Sequence, residues 1–240
     1  MSLRFVAAAL FLAAAFSPLP PNAAKAADYP LITFEYGELY DRFCADATKR
    51  TVEREAVEEL ETRLESFRGH WRREAPLLFK TTVKLTKVPF EFGEAKAALS
   101  LCNPGSLSFP LIINVRHYLK AINGERARPL EGFAATLFHE TLHRYVGDRM
   151  EVLPGKTTPL LTKYRDESAV VRNHLHLFAI FDEVYRKLGR QRDLDEIIAF
   201  EDKLNFAPHF RRAREIIAKE GAENFICEIS KGGCRRAAER

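Results

Sequence analysis

Helical spacing of apolar residues dominates the chain from residue 130 almost to its C-terminus. Glycine and proline residues divide this region into four predicted helices, at residues 130–146, 166–189, 192–204 and 208–220. Shorter segments before residue 130 carry patterns that are typical of strands. Because the strands come early and the helices late, the order predicts an α+β protein with a small mixed or antiparallel sheet and a helical C-terminal half.

Two segments in the first half of the chain predict a helix followed by a strand. Residues 39–69 carry apolar side chains three or four positions apart among many charges, which predicts an amphipathic helix that ends near Gly69. Residues 80–88 then alternate, with Val83 and Leu85 opposite threonine and lysine side chains. This alternation predicts a half-buried strand.

Two further segments lie between this predicted strand and the helical region. Residues 95–101, AKAALSL, also alternate, and the sequence NPGS at 103–106 predicts a turn directly after them. Residues 109–122 fit either a buried strand at 111–115 or a helix that begins at Pro110. We favour the strand, running into a helical turn.

The N-terminus has the order of a secretory signal peptide. Arg4 precedes an apolar run from Phe5 to Phe16, and a stretch of small residues with an A-x-A cleavage site at 24–26 follows. The apolar run is too short to span a bilayer as a helix. We therefore expect residues 1–26 to be a cleaved signal and the protein to be exported, to the periplasm or as a secreted protein. An uncleaved N-terminal anchor is the alternative.

Charge and length limit the classes of partner and of architecture. The formal net charge of +4 falls to about +2 when Arg4 and Lys25 leave with the signal. Positive and negative side chains are therefore nearly equal in number, which gives no reason to expect nucleic acid or an anionic membrane as a partner. No second long apolar stretch follows, and residues 27–240 are long enough for one sizeable domain.

All four cysteines follow the predicted cleavage site. An even number of cysteines in an exported chain predicts two disulfides. We expect Cys227 to pair with Cys234 across a short glycine-containing loop, which leaves Cys44 to pair with Cys102. A four-cysteine zinc site is the rival interpretation, but the chain lacks the C-x-x-C spacing of such sites.

The predicted helix at 130–146 contains the sequence His139-Glu140-Thr141-Leu142-His143. On a helix, residues four apart lie roughly 40° from each other, so the two imidazoles share one side and can bind one ion. Glu140 lies beside them, where a carboxylate can take a proton from a water molecule. The alternative is an ordinary helix with two unrelated histidines.

A catalytic zinc site needs a third protein ligand. The next predicted helix offers Glu167 and His174, which lie on one face but two turns apart, roughly 10 Å along the axis. One of them is expected to bind the ion, and the other to line the cleft.

These residues resemble the gluzincin group of zinc metallopeptidases, in which an HExxH helix and a downstream glutamate bind zinc. The resemblance covers about residues 129–189. It implies that His139, His143 and Glu167 bind Zn²⁺, that Glu140 is the general base, and that residues 27–240 form one zincin-like domain. The group usually has an aspartate four positions after the ligand glutamate, but Val171 stands there, so Asp148 or Asp166 would have to replace it.

Zincin-type enzymes also bind an extended substrate along an edge strand, and residues 95–101 are our candidate for that strand; a buried sheet strand is the alternative. A donor for the developing oxyanion is also required. The side chains of suitable type near the motif are Tyr145, Tyr164, Arg172, His174 and His176. We favour the pair Asn173 and His174, and discount His176 because it lies opposite Glu167 on its helix.

The sequence therefore predicts an exported zinc metallopeptidase whose partner is a peptide or protein substrate. Two alternatives stay open: a zincin-like envelope protein that binds a partner without catalysis, and a zinc hydrolase of another amide, such as a cell-wall peptide. The sequence indicates neither cleavage specificity nor oligomeric state.

Overall fold

A computed structural model describes residues 29–230 of the 240-residue chain. The strands in this part are β1 (Leu31–Tyr36), β2 (Glu94–Ser100), β3 (Leu107–Ser108) and β4 (Leu111–Asn114). The helices are α1 (Glu38–Thr48), α2 (Arg54–Thr86), α3 (Lys120–Asn123), α4 (Leu130–Glu151), α5 (Pro159–Lys163), α6 (Ala169–Lys187), α7 (Gln191–Glu201), α8 (Ala207–Glu220) and α9 (Ala222–Ile229). This arrangement confirms the predicted α+β class with a helical C-terminal half.

The four strands form one mixed sheet in the order β1-β2-β4-β3. Strands β1, β2 and β4 are parallel, and β3 pairs antiparallel with β4 at one edge. The strand predicted at 111–115 is confirmed as β4. Residues 95–101 fall largely in β2, which pairs on both sides, so the prediction that this segment is the substrate-binding edge strand is wrong and the buried alternative is correct.

Helix α2 overturns two predictions, because it continues through Gly69 and covers most of the strand predicted at 80–88. The threonines of that segment, Thr82 and Thr86, face the core rather than solvent. Each hydroxyl donates a hydrogen bond to the carbonyl four residues earlier, at 2.9 Å. This contact satisfies a polar side chain inside a helix, and alternation alone could not reveal it.

Helix α6 is the centre of the helical half, and it packs against α2, α4, α7, α8 and α9. Phe138 of α4 stacks on Phe181 of α6 with ring centroids 5.5 Å apart. Phe133, one turn earlier on α4, meets Phe67 of α2 edge-on at 4.8 Å. These aromatic contacts hold α4 between α2 and α6, which determines where the motif histidines lie.

The disulfide predicted between Cys44 and Cys102 is confirmed, and it ties α1 to the segment that follows β2. The second predicted pair includes Cys234, which lies outside the described residues, as does the predicted signal at 1–26. Within residues 29–230, no helix is both long enough and apolar enough to cross a bilayer.

Candidate metal centre

Helix α4 presents the two motif histidines on one side and buries its apolar residues on another. Phe138 and Leu142 are fully buried in the core. His139 and His143 lie one turn apart with ring centroids separated by 5.0 Å. The helical spacing inferred from the sequence therefore brings the two imidazoles together as expected.

Helix α6 brings a third imidazole to this pair. The ring centroid of His174 lies 5.2 Å from that of His139 and 4.8 Å from that of His143. Each histidine offers one ring nitrogen, and these atoms lie within 4.8 Å of one another. The three side chains, named the His triad below, can hold a metal ion.

Glu167, the ligand implied by the gluzincin resemblance, lies outside the His triad. Its carboxylate accepts hydrogen bonds of 2.6 and 2.9 Å from Arg212 of α8. The helix was predicted to begin at residue 166, but α6 begins at Ala169, with Ser168 as its N-cap. Glu167 therefore precedes the helix, and the shared helical face predicted for Glu167 and His174 does not exist.

The orientation of His174 is fixed by its own helix. Its Nδ1 lies 2.6 Å from the carbonyl oxygen of Val170. A carbonyl can only accept, so Nδ1 carries the proton and Nε2 keeps the lone pair for a metal. Neither acidic residue suggested for such a role contacts His174 in this way: Asp148 lies 3.8 Å from Arg144, and the exposed Asp166 lies 3.9 Å from Arg165.

The environment keeps the His triad neutral, which is the state that binds a metal. Burial, followed by the neighbouring histidines, holds the pKa of His139 well below its usual range. Burial and then His174 lower the pKa of His143 to about 3, and burial lowers that of His174 to about 4. Three neutral, converging imidazoles are a donor set that fits a transition metal ion such as zinc.

A buried cation behind the His triad, Arg214, also lowers the pKa values of His139 and His174. The Arg214 guanidinium of α8 lies 3.9 Å above the Phe178 ring, and that ring contacts His174 at 5.0 Å. Arg214 is itself paired with Asp182 at 3.1 Å and with Glu201 at 2.7 Å. This network holds α6, α7 and α8 together around the side of the site that faces the core.

Glu140 lies on α4 directly after His139, and its buried carboxylate forms a hydrogen bond with Ser108. Its Oε2 accepts a hydrogen bond from the Ser108 hydroxyl at 2.5 Å. Burial raises the pKa of Glu140 to about 7, and the Ser108 hydrogen bond opposes that rise. A carboxyl group with a pKa near neutrality is suited to exchange protons with a reacting group.

Ser108 was not identified from the sequence. It lies on β3, and the β3–β4 hairpin folds back so that β3 contacts α4. Because this contact joins residues 32 positions apart, no local pattern near Ser108 signals it.

A cleft of about 750 Å³ borders the site. Its walls come from β3 and the Phe109 that follows it, from the outer side of α4 including His143, from the segment 156–165, and from the first two turns of α6. The cleft therefore reaches His143 of the His triad, and β3 is an edge of the sheet among the strands that the structure describes.

The candidates for an oxyanion donor divide between the cleft and the core. Arg172, Asn173 and His176 line the cleft, so the sequence argument that discounted His176 is wrong about its position. Its Nε2, however, lies 2.9 Å from Glu228, which engages that atom.

The two tyrosine candidates are engaged elsewhere. The hydroxyl of Tyr145 donates to the Val88 carbonyl oxygen, and that of Tyr164 donates to the Glu220 carboxylate.

No protein-family model, no curated protein and no solved structure matches the chain. The case for a function therefore depends on the geometry of the His triad, Glu140 and the cleft.

Proposed function

We propose that this protein is an exported zinc-dependent metallopeptidase in which His139, His143 and His174 bind the ion and Glu140 is the general base. The observation that carries the proposal is the convergence of three imidazoles, with ligand atoms within 4.8 Å of one another, beside a buried glutamate. With His174 in place of a glutamate, the ligand set departs from the gluzincin pattern.

The choice of zinc rests on the whole motif rather than on the imidazoles. Three histidines also suit copper, nickel or iron. A glutamate between two histidines on one helix turn favours zinc, because this arrangement pairs the ion with a base. A bound zinc ion would polarise a carbonyl group and lower the pKa of a water molecule to roughly 7.

Glu140 is held in a position to move a proton. Ser108 donates to Oε2, so Oε1 remains available to accept from the attacking water. Once protonated, the carboxyl can give its proton to the leaving amine of the cleaved peptide. Burial supports both steps, because it raises the pKa of the Glu140 carboxyl above its ordinary value.

The cleft and its edge strand support a peptide as the substrate. The outer edge of β3 is free among the described strands, and exposed apolar side chains flank it at Leu107 and Phe109. An extended peptide can pair with such an edge and place side chains against the apolar residues. Export is supported by the Cys44–Cys102 disulfide, a bond typical of oxidising compartments.

The test compares the wild-type protein with Glu140→Gln. We expect one zinc ion per molecule in both, measured by mass spectrometry of the metal, because Glu140 is not a ligand. Cleavage of a denatured protein substrate should fall by roughly 10²–10⁴ in the variant. Equal cleavage by the two proteins would remove Glu140 from the mechanism. Zinc without any cleavage in the wild type would favour the partner-binding alternative.

A further inference from the structure

The charged side chains that line the cleft all carry the same sign. Lys156, Arg165 and Arg172 line it, and none of its lining residues is an aspartate or glutamate. A cleft walled by one sign of charge concentrates molecules of the opposite sign. This observation directs attention to anionic groups on whatever molecule enters.

Two of these cations have acidic neighbours outside the lining. Lys156 pairs with Glu151, and Arg165 lies 3.9 Å from Asp166. Both pairs are highly exposed to solvent, where such contacts contribute little. They leave Lys156 and Arg165 as rim charges that are partly neutralised.

Arg172 differs from both because no carboxylate within residues 29–230 pairs with it. Its Nη1 donates to the backbone carbonyl of Arg165 at 3.2 Å, which fixes the direction of the guanidinium. Its Nε is buried and finds no hydrogen-bond acceptor among the described residues. A buried donor on a charged group without an acceptor is costly. Because Nε is enclosed by protein atoms, a carboxylate in the cleft would bind the terminal nitrogens of the guanidinium, a group that suits carboxylates.

The position of Arg172 relates it to the His triad. It lies on α6 two residues before His174, so the two side chains point to different sides of the helix. Arg172 nevertheless lines the same cleft as His143, and a carboxylate bound to it would share that cleft with one of the three candidate ligands.

We propose that Arg172 is a specificity-determining residue that binds a carboxylate of the peptide, with Arg165 and Lys156 attracting it from the rim. That the carboxylate belongs to a peptide rests on the proposed function; the carboxylate site itself does not. Two sources share this chemistry, namely an acidic side chain and the free C-terminal carboxylate of the chain.

The test measures binding without turnover. Three dansyl-labelled pentapeptide pools each have four positions randomised among uncharged residues and one fixed position. The first pool has glutamine at the fixed position and a C-terminal amide, the second has glutamate there and the same amide, and the third has glutamine there and a free C-terminus. Fluorescence anisotropy is recorded with metal-free protein, so that neither cleavage nor a contact of the carboxylate with zinc contributes. The zinc-loaded Glu140→Gln protein is a second preparation.

We expect one carboxylate pool to bind at least about tenfold more tightly than the neutral pool, the smaller effect typical of a hydrogen bond to a charged group. Preference for the glutamate pool would identify an acidic side chain, and preference for the free C-terminus would identify the terminal carboxylate. Arg172→Met should abolish the preference and Arg172→Lys should reduce it. Arg192→Met removes the same charge from an exposed pair on α7 and should leave the preference intact.

Equal affinity for the three pools in wild-type protein, or no binding of any pool, would overturn the proposal without any variant. A preference that survives in folded Arg172→Met would overturn it as well.

Zinc content and Glu140-dependent cleavage are scored separately. A carboxylate preference in a protein that binds no zinc would therefore refute the peptidase and keep the site, and the reverse result would refute only the site.

Discussion

Arg214→Met should destabilise the protein strongly, because it leaves two buried carboxylates without their cation. Arg214, Asp182 and Glu201 expose only 16%, 7% and 10% of their side chains. Removing one partner from a buried ion pair typically costs about 3–5 kcal/mol of unfolding free energy. For a domain of this size the loss corresponds to a fall in Tm of about 6–20 °C at pH 7.

The loss should depend on pH in a defined direction. Burial raises the pKa of Asp182 and of Glu201, while Arg214 lowers both. Without Arg214 their folded pKa values rise further above the unfolded ones, so the folded state prefers the protonated acids. The variant's deficit is therefore larger at neutral pH and shrinks as the pH falls toward the unfolded carboxyl values near 4.

Urea unfolding monitored by circular dichroism at pH 7 and pH 5 measures both effects. Arg192→Met, which disrupts an exposed pair, is the matched control and should change stability by less than about 1 kcal/mol. An Arg214→Met protein as stable as this control, or a deficit that grows in acid, would show that the buried network does not act as described.

Three further changes test other parts of the structure. Ser108→Ala should leave the metal content unchanged but lower kcat/KM for cleavage about tenfold, the effect of one hydrogen bond to a charged group. An unchanged kcat/KM would mean that Ser108 does not position Glu140. Replacing Cys44 and Cys102 by serine should cost about 4 kcal/mol for a closed loop of this length, read from denaturant unfolding, and a loss below 1 kcal/mol would refute it. Tyr145→Phe should cost about 1–2 kcal/mol, because it removes the hydroxyl that donates to the buried Val88 carbonyl oxygen, 3.0 Å away; wild-type stability would contradict that contact.

The parts of the fold that could be predicted from the sequence depend on local periodicity. The helices near 130–146 and 208–220 were anticipated within a few residues, because their apolar spacing matches the faces that they bury. His139 and His143 follow from the same rule, since two residues one turn apart on a regular helix must share a side.

The parts that could not be predicted depend on contacts between distant segments. The residues at 80–88 alternate like a strand, but they belong largely to α2. Thr82 and Thr86 face the protein core there, and their hydroxyls donate hydrogen bonds to the helix backbone. The environment predicted for Glu167 is wrong because α6 begins at Ala169, three residues after the predicted start at 166. Ser108 reaches Glu140 only through a hairpin whose position depends on the whole sheet.

The most direct test of the central claim is the zinc affinity of His174→Ala beside that of Glu167→Ala, measured by competition with a chromophoric chelator. Both residues belong to the region around the start of α6, and each variant removes one side chain that can ligate zinc. The His triad predicts that Glu167→Ala binds one zinc ion with wild-type affinity and that His174→Ala loses at least about tenfold in affinity. Zinc binding that survives in His174→Ala and is lost in Glu167→Ala, or a wild-type protein that binds no zinc, would contradict it.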